Sequence, residues 1–222
     1  QLYDLSADIG QRRNLADEAL WLGGLLASLM PEVPEALGLL ALMLHSHARR
    51  HARRDAQGRY VPLAEHDTTQ WDHAMIREAE RLLHRASALA LGGPGGGAHR
   101  VGRYQLEAAV QSAHAVRRLS GQADWPAIER LYAALARLTD SPVVVVNQAV
   151  ALAETQGPAA ALALLDSVAG DARLADYQPW WAARAEVLMR LGRMVDAQAA
   201  GQRAIGLAVD PDYPDRPFAY AF

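Results

Sequence analysis

The sequence predicts an all-α protein, a right-handed stack of antiparallel helix pairs, and three observations predict it. Glycines Gly121, Gly157 and Gly192 recur at intervals of 36 and 35 residues. Each has a bulky apolar residue eleven positions before it (Val110, Val146, Trp181) and an alanine twelve after (Ala133, Ala169, Ala204). This is the pattern of a helix-turn-helix repeat, with glycine in the turn and a small residue where two helices approach. The hydrophobic fraction is 51% with only two Phe, and its weight in Ala and Leu suits helices rather than sheets.

The elements follow in order. Residues 14–30 read as a helix with Asn14 as N-cap and Leu15, Ala19, Leu22, Leu26 and Leu29 on one face. Pro31 and Pro34 break it and start the next. Helix 35–52 is apolar almost all round as far as Leu44 and then turns basic, from His45 to Arg54, ending at Asp55–Gly58. A short extended piece, Arg59 to Leu63, comes next. Asp67-Thr-Thr-Gln70 is a capping-box pattern that opens a helix burying Trp71, Met75, Ala79, Leu82, Ala86 and Leu89. The run Gly92-Gly-Pro-Gly-Gly-Gly97 interrupts regular structure and reads as a linker.

Beyond it, 103–119 is predicted helical, and Asp124 caps a helix striped by Ile128, Leu131, Tyr132, Leu135 and Leu138. Ser141-Pro142 starts another helix with proline at its first position. The run Val143–Val146 favours strand locally, but the repeat register places it in a helix. Gly157-Pro158 opens helix 158–169, and the last pair is 177–191 and 194–208. The expected organisation is an N-terminal helical half (1–91), a glycine-rich linker (92–102), a repeat half (103–209) and an irregular, proline-broken tail (210–222).

Composition narrows the function. Arginine supplies all the Lys+Arg positive charge and the net charge is −3, so the chain as a whole is no polyanion binder. Without cysteine there is no disulfide, thiolate zinc site or Cys nucleophile. The longest apolar stretch, Ala36 to Leu44, is far below the roughly 18 residues of a membrane span. No signal peptide is visible, so a cytoplasmic location is expected. The chain starts at Gln1 and its first Met is Met30, so it is expected to be part of something longer. The glycine run lacks the Lys-Ser/Thr of a phosphate loop, and no nucleophile elbow is present. Neither enzyme activity nor a cofactor is expected.

Two parts of the chain resemble known proteins. The stretch Arg184-x3-Leu188-x2-Leu191-Gly-Arg193-x3-Ala197-x6-Ala204-x2-Leu207 looks like a tetratricopeptide repeat. The first half carries Pro34-Glu-Ala-Leu-Gly-Leu-Leu-Ala-Leu-Met43, Ala48-Arg-Arg50, Asp55-x2-Gly58, His66-Asp67 and Trp71-Asp72. Tyr104-Gln-Leu-x-Ala-Ala109 and Ser141-Pro-Val-Val-x-x-Asn147-x-Ala-Val-Ala151 continue the series. In that order, over roughly residues 15–208, the chain resembles the C-terminal extension of a group of extracytoplasmic-function sigma factors of RNA polymerase. The resemblance implies a tetratricopeptide-like regulatory region that meets the sigma-factor N-terminal domains or the polymerase core. It implies no direct nucleic-acid contact, because the promoter-reading domains have no match here. The family usually has Asp at the position of His47 and Gln-Asp-Arg at His66–Thr68, which fits loss of an ion pair.

Four arginines, Arg49, Arg50, Arg53 and Arg54, are the candidate partner contacts, since four exceed what a helix C-terminus requires. Trp71, Asp72, Tyr104, Gln105 and His114 are candidate pocket residues. The plainer reading makes Trp71 a core anchor, Asp72 a helix-start acid and the other three a satisfied inter-helix set. Asn147 inside a helix reads the same way. His47 and His51, at i, i+4 beside His45, have metal-like spacing but no Glu next to the first histidine, and read as a solvated basic helix end. Two other classes stay open: a free-standing tetratricopeptide-like peptide-binding scaffold, and a small-ligand sensor with a pocket near Trp71 and Tyr104.

Overall fold

A computed structural model describes residues 2–92 and 101–208. Most of the glycine run and the tail 210–222 lie outside the described residues. Among the described residues the secondary structure is helical, apart from one β-bridge between Arg54 and Tyr60. The chain divides into two compact units, one of residues 1–51 with 68–115, the other of 52–67 with 116 onward.

The first unit holds α1 (Leu2–Leu29), α2 (Pro34–Ala48), α3 (His73–Ala90) and α4 (Arg103–Ala115). α2 is the central helix, with α1, α3 and α4 all packed on it, as its apolar circumference requires. Its Leu37 and Ala41 join Ala79, Leu82 and Ala86 of α3 and Ala108 of α4 in one buried cluster. α1 differs from the sequence reading in two ways. It begins at Leu2, so Asn14 lies inside it and not at its start. The face expected to be buried is the exposed one: Leu15, Leu22 and Leu29 stand in solvent while Gly23 and Ala27 lie against the unit. The small face wins because it allows the closest approach; a Cβ on Gly23 would already sit 3.1 Å from the Met43 sulfur.

α3 starts later than the capping-box pattern predicts. Thr68–Gln70 forms a 3-10 turn, and the cap is Asp72, whose Oδ1 accepts from the amides of Ala74 and Met75, each at 3.0 Å. Trp71 therefore precedes the cap instead of occupying the first helical turn, and it is buried there.

The second unit holds α5 (Arg117–Ser120), α6 (Trp125–Leu138), α7 (Pro142–Thr155), α8 (Pro158–Ser167), α9 (Gln178–Arg190) and α10 (Met194–Ala208). The predicted helix 103–119 is thus two helices that break at Val116. Consecutive helices from α6 to α10 pack on one another, and α7 also reaches α9. Their core is Val146, Ala149, Ala161, Leu165, Leu174, Trp180, Val187 and Leu188. The valine run is helical, as the register requires: Pro142 sits in the first turn, and complete burial of Val146 outweighs a local strand preference of a few tenths of a kcal/mol. Asp124 caps α6 through the Ala127 amide.

The repeat is a repeat of turns more than of contacts. Gly121, Gly157 and Gly192 all have positive φ (78°, 92° and 74°), where a side chain would be strained. The alanines twelve residues on do not share one role: Ala204 is buried, Ala133 half-buried and Ala169 exposed. Val110 belongs to the first unit, whereas Val146 and Trp181 belong to the second.

Candidate functional site

Polar side chains enter the interior chiefly in the first unit, where α2, α3 and α4 meet. His45, Arg49, Gln105 and His114 are all buried there. Several side chains at this junction tie two helices. The Glu80 carboxylate of α3 accepts from the Ser112 hydroxyl of α4, with both oxygens at 2.8 Å, and lies 3.6 Å from the imidazole of His45 on α2. Arg49, just past α2, donates to Gln111 of α4. At the other end of α2, Glu35 accepts from the amides of Tyr104 (3.2 Å) and Gln105 (3.1 Å), a carboxylate set on the positive end of α4. Gln105 accepts in turn from the Gly102 amide. The approach is tight: a Cβ on Gly38 would lie 2.7 Å from the Gln105 nitrogen, and one on Gly102 would enter the Glu35 carboxylate.

This seam is built for holding. In the series Ser112–Glu80–His45 the carboxylate stands between hydroxyl and imidazole, so His45 is not placed to take the serine proton. His45 turns to Glu80 and His47 to Asp17 at 3.5 Å, two different neighbours. Among the described residues no three His, Cys, Asp or Glu are grouped to hold a metal ion. His114 is driven to a pKa of about 4, first by burial and then by the cation of Arg49.

The five candidate pocket residues are not brought together. Asp72 donates its amide to the Ala48 carbonyl at the end of α2, whereas Tyr104 and Gln105 bond Glu35 in its first turn. Thirteen residues of helix separate Ala48 from Glu35, about 20 Å. Trp71 and Asp72 belong to one end, Tyr104 and Gln105 to the other, and His114 lies toward Arg49. Tyr104 is also partly exposed, with the Arg103 guanidinium 5.9 Å from its ring.

The four arginines divide as well. Arg49 is 8% exposed and inside the seam. Arg50 is exposed, beside the His47 carbonyl and the Met75 sulfur. Arg53 and Arg54 belong to the second unit, in the hairpin that Gly58 closes at φ 78°; Arg54 donates to the Gly58 carbonyl at 2.7 Å. There the buried His66 sits 3.1 Å from the Val61 carbonyl, and Arg117 donates to the carbonyls of Leu63 and His66.

Sequence reasoning missed a groove of about 380 Å³ between α9 and α10. Trp181, Leu188 and Ala200 line it, and Arg184, Arg193 and Arg203 line it too. Arg184 stacks on Trp180 (5.5 Å) and Arg203 on Trp181 (5.9 Å), and their charges meet Asp166 and Asp176. The signal was available: Trp181, Arg184, Leu188 and Arg203, Ala200, Asp196 recur at three- and four-residue spacing on two helices joined by Gly192. Only the antiparallel packing of α9 on α10 turns those two faces toward each other.

Residues 3–87 match the model of a family of unknown function (DUF6596). The chain is 40% identical over 201 residues to an uncharacterized protein of Rhizobium meliloti (strain 1021). That match covers 90% of the chain but 45% of the relative, so the chain spans less than half the length of the curated relative it matches. No solved structure matches the chain.

Proposed function

We propose that this chain is the C-terminal regulatory and protein-interaction region of an extracytoplasmic-function RNA polymerase sigma factor, acting in the cytoplasm through contacts with the sigma N-terminal domains or the polymerase core. The observation that carries the reading is where the resembling segments fall. They occupy α2, the arginine turn after it, the Asp55–Gly58 hairpin, the Trp71–Asp72 start of α3 and the starts of α4 and α7. They are therefore the joints of the architecture, and a series of joints in one order is a property of a whole fold. The length of the Rhizobium meliloti protein supports the same reading, since more than half of it lies outside the match and leaves room for promoter-reading domains.

The second unit is then a tetratricopeptide-like stack, with its glycine turns near 35-residue spacing and each helix packed on the next. The region would bias sigma between idle and promoter-competent states by binding one of them more tightly. The test is a pull-down of this chain with RNA polymerase core as one bait and the sigma N-terminal domains as the other. Saturable binding to either, weakened at least tenfold when Arg50, Arg53 and Arg54 are replaced by Ala, is the expected result. No binding to either bait sinks the proposal.

A second reading has its own observation. The α9–α10 groove, with arginines over tryptophans, fits a free-standing scaffold for acidic peptides. Binding of an acidic peptide that is lost in Arg184→Ala and Arg203→Ala, with no polymerase binding, would favour it.

A further inference from the structure

The groove between α9 and α10 has a charge pattern of its own. Its lining runs from Trp181 and Arg203, toward the end of α10, to Leu188 and Arg193, beside the Gly192 turn. It holds three arginines against one acid, Asp196. Arg184 meets Asp166, Arg203 meets Asp176 at 2.7 Å and Arg193 meets Asp196 at 2.6 Å. The last two pairs stand half or more in solvent, where such a pair is worth little. A guanidinium with five N–H donors also has room for a second carboxylate.

We infer that the occupant of this groove is the chain's own segment 210–218, folding back from the end of α10. The segment lies outside the described residues, and its sequence, Asp210-Pro-Asp-Tyr-Pro-Asp-Arg-Pro-Phe218, complements the lining. It carries three acids and one cation, against the three arginines and one acid of the groove. Pro211, Pro214 and Pro217 recur at every third residue, the period of a polyproline II helix, an extended form that docks in aromatic-lined grooves at low entropic cost. At the same period Asp212, Asp215 and Phe218 share one edge. The segment also starts at the right end, because α10 stops at Ala208, little more than a turn beyond Arg203.

The spacings agree. Along α10, Arg203 and Arg193 lie about 8 and about 22 Å back from Ala208. A Cβ on Gly201 would lie 3.9 Å from the Ala185 Cβ, so its neighbour Arg184 stands level with Gln202, about 9 Å back. With the chain reversed at Val209–Pro211, Asp212, Asp215 and Phe218 fall about 3, about 12 and about 22 Å along the groove. The length of an arginine side chain spans the differences. Asp212 therefore meets Arg203, Asp215 meets Arg184, and Phe218 lies against Leu188 and the Arg193 guanidinium. A tether this short holds the segment at a local concentration on the order of millimolar, so contacts that are weak singly suffice. An acidic partner from outside the chain has to displace the segment before it enters the groove.

The inference rests on neither functional reading, and its test needs no partner. The chain has no cysteine, so an introduced pair reports one contact. Arg216→Cys is combined in the full chain with Ala199→Cys, an exposed position in the groove lining. The control pair is Arg216→Cys with Gln198→Cys, at the same level of α10 but on its other flank. Under mild oxidation at about 1 µM chain, the Ala199 pair should close an intramolecular disulfide at least about fivefold faster than the Gln198 pair. Replacing Asp212 and Asp215 by Asn in the Ala199 pair should slow closure about fivefold, and 1 M salt should slow it similarly. Equal rates for the two pairs, or no closure, overturn the placement. A disulfide-linked dimer in place of the closed monomer overturns docking within one chain. A rate unchanged by Asp212→Asn with Asp215→Asn overturns the acid–arginine pairing that sets the register.

Discussion

The two units solve the same problem, helix against helix, with different chemistry. In the second unit the contacts between helices are Val146, Leu165, Leu174, Val187 and Leu188, and its charges sit mostly at the rim, as in Arg173–Asp171 and Arg193–Asp196. In the first unit polar groups pass through the joints: Arg49 to Gln111, Ser112 to Glu80, and the amides of Tyr104 and Gln105 to Glu35. Apolar layers tolerate change of shape and are local to neighbouring helices. Buried hydrogen bonds accept one geometry and cost more when half of a pair is removed. The first unit is therefore the more narrowly specified body, and the second the more adaptable one.

That contrast can be broken or sharpened by substitution. The largest effect is expected from Leu165→Ala, which empties a fully buried site in the second unit. It should cost about 4 kcal/mol in urea unfolding, with hydrogen exchange accelerated in α7–α9. Gly38→Val should follow at about 3 kcal/mol, because the new side chain meets backbone at Gln105 and α2 and α4 must part. A loss below 1 kcal/mol at Gly38 would show that the first unit is as adaptable as the second.

Arg49→Ala should destabilise by about 2 kcal/mol, since it removes a buried cation and strands Gln111, while Arg50→Ala on the exposed neighbour should change stability by less than about 0.5 kcal/mol. Equal effects would mean that the run acts only as surface charge.

Acid should act through His114. Its folded-state pKa of about 4 lies below the unfolded value near 6.5, so the unfolded chain takes up the proton first. Its contribution is complete above about pH 6.5 and is lost as pH falls toward 4, by about 2 kcal/mol between pH 7 and pH 5. Urea midpoints of the wild type and His114→Phe over that range are the measurement, and the variant should lose much of the slope. The smallest effect is expected from Asp124→Ala, about 1 kcal/mol, through loss of the α6 cap.

Helix starts show what was legible locally. Asp124, Pro142 and Pro158 open their helices where their residue types require, because a cap or a first-turn proline acts within three or four residues. Asp67 and Asp72 show the limit. Both fit a capping pattern, and the donation of the Asp72 amide to the Ala48 carbonyl, a contact between distant segments, accompanies the choice of Asp72. The candidate site follows the same division. Asp72 as a helix-start acid was readable, and so was a hydrogen-bonded place for the buried Gln105 amide; its oxygen takes the local Gly102 N–H, however, and the bond between helices runs from its backbone N–H to Glu35. That Trp71 and Tyr104 stand at opposite ends of α2 was not readable, because periodicity places residues on a helix face but not along a neighbouring helix.

By itself, then, the sequence determined the helical class, most helix boundaries in 124–208 and the three glycine turns, all of which depend on propensity, capping and φ within a few residues. Tertiary structure alone decided which side of α1 is buried. Its leucine side is the more hydrophobic, but its glycine side fits closer to α2, and packing distance outweighs hydrophobicity where two helices must touch. It also decided that adjacent arginines, Arg49 and Arg50, in the turn that follows α2, lie one inside and one outside, since that turn carries Arg49 toward Gln111 of α4 and leaves Arg50 on the surface.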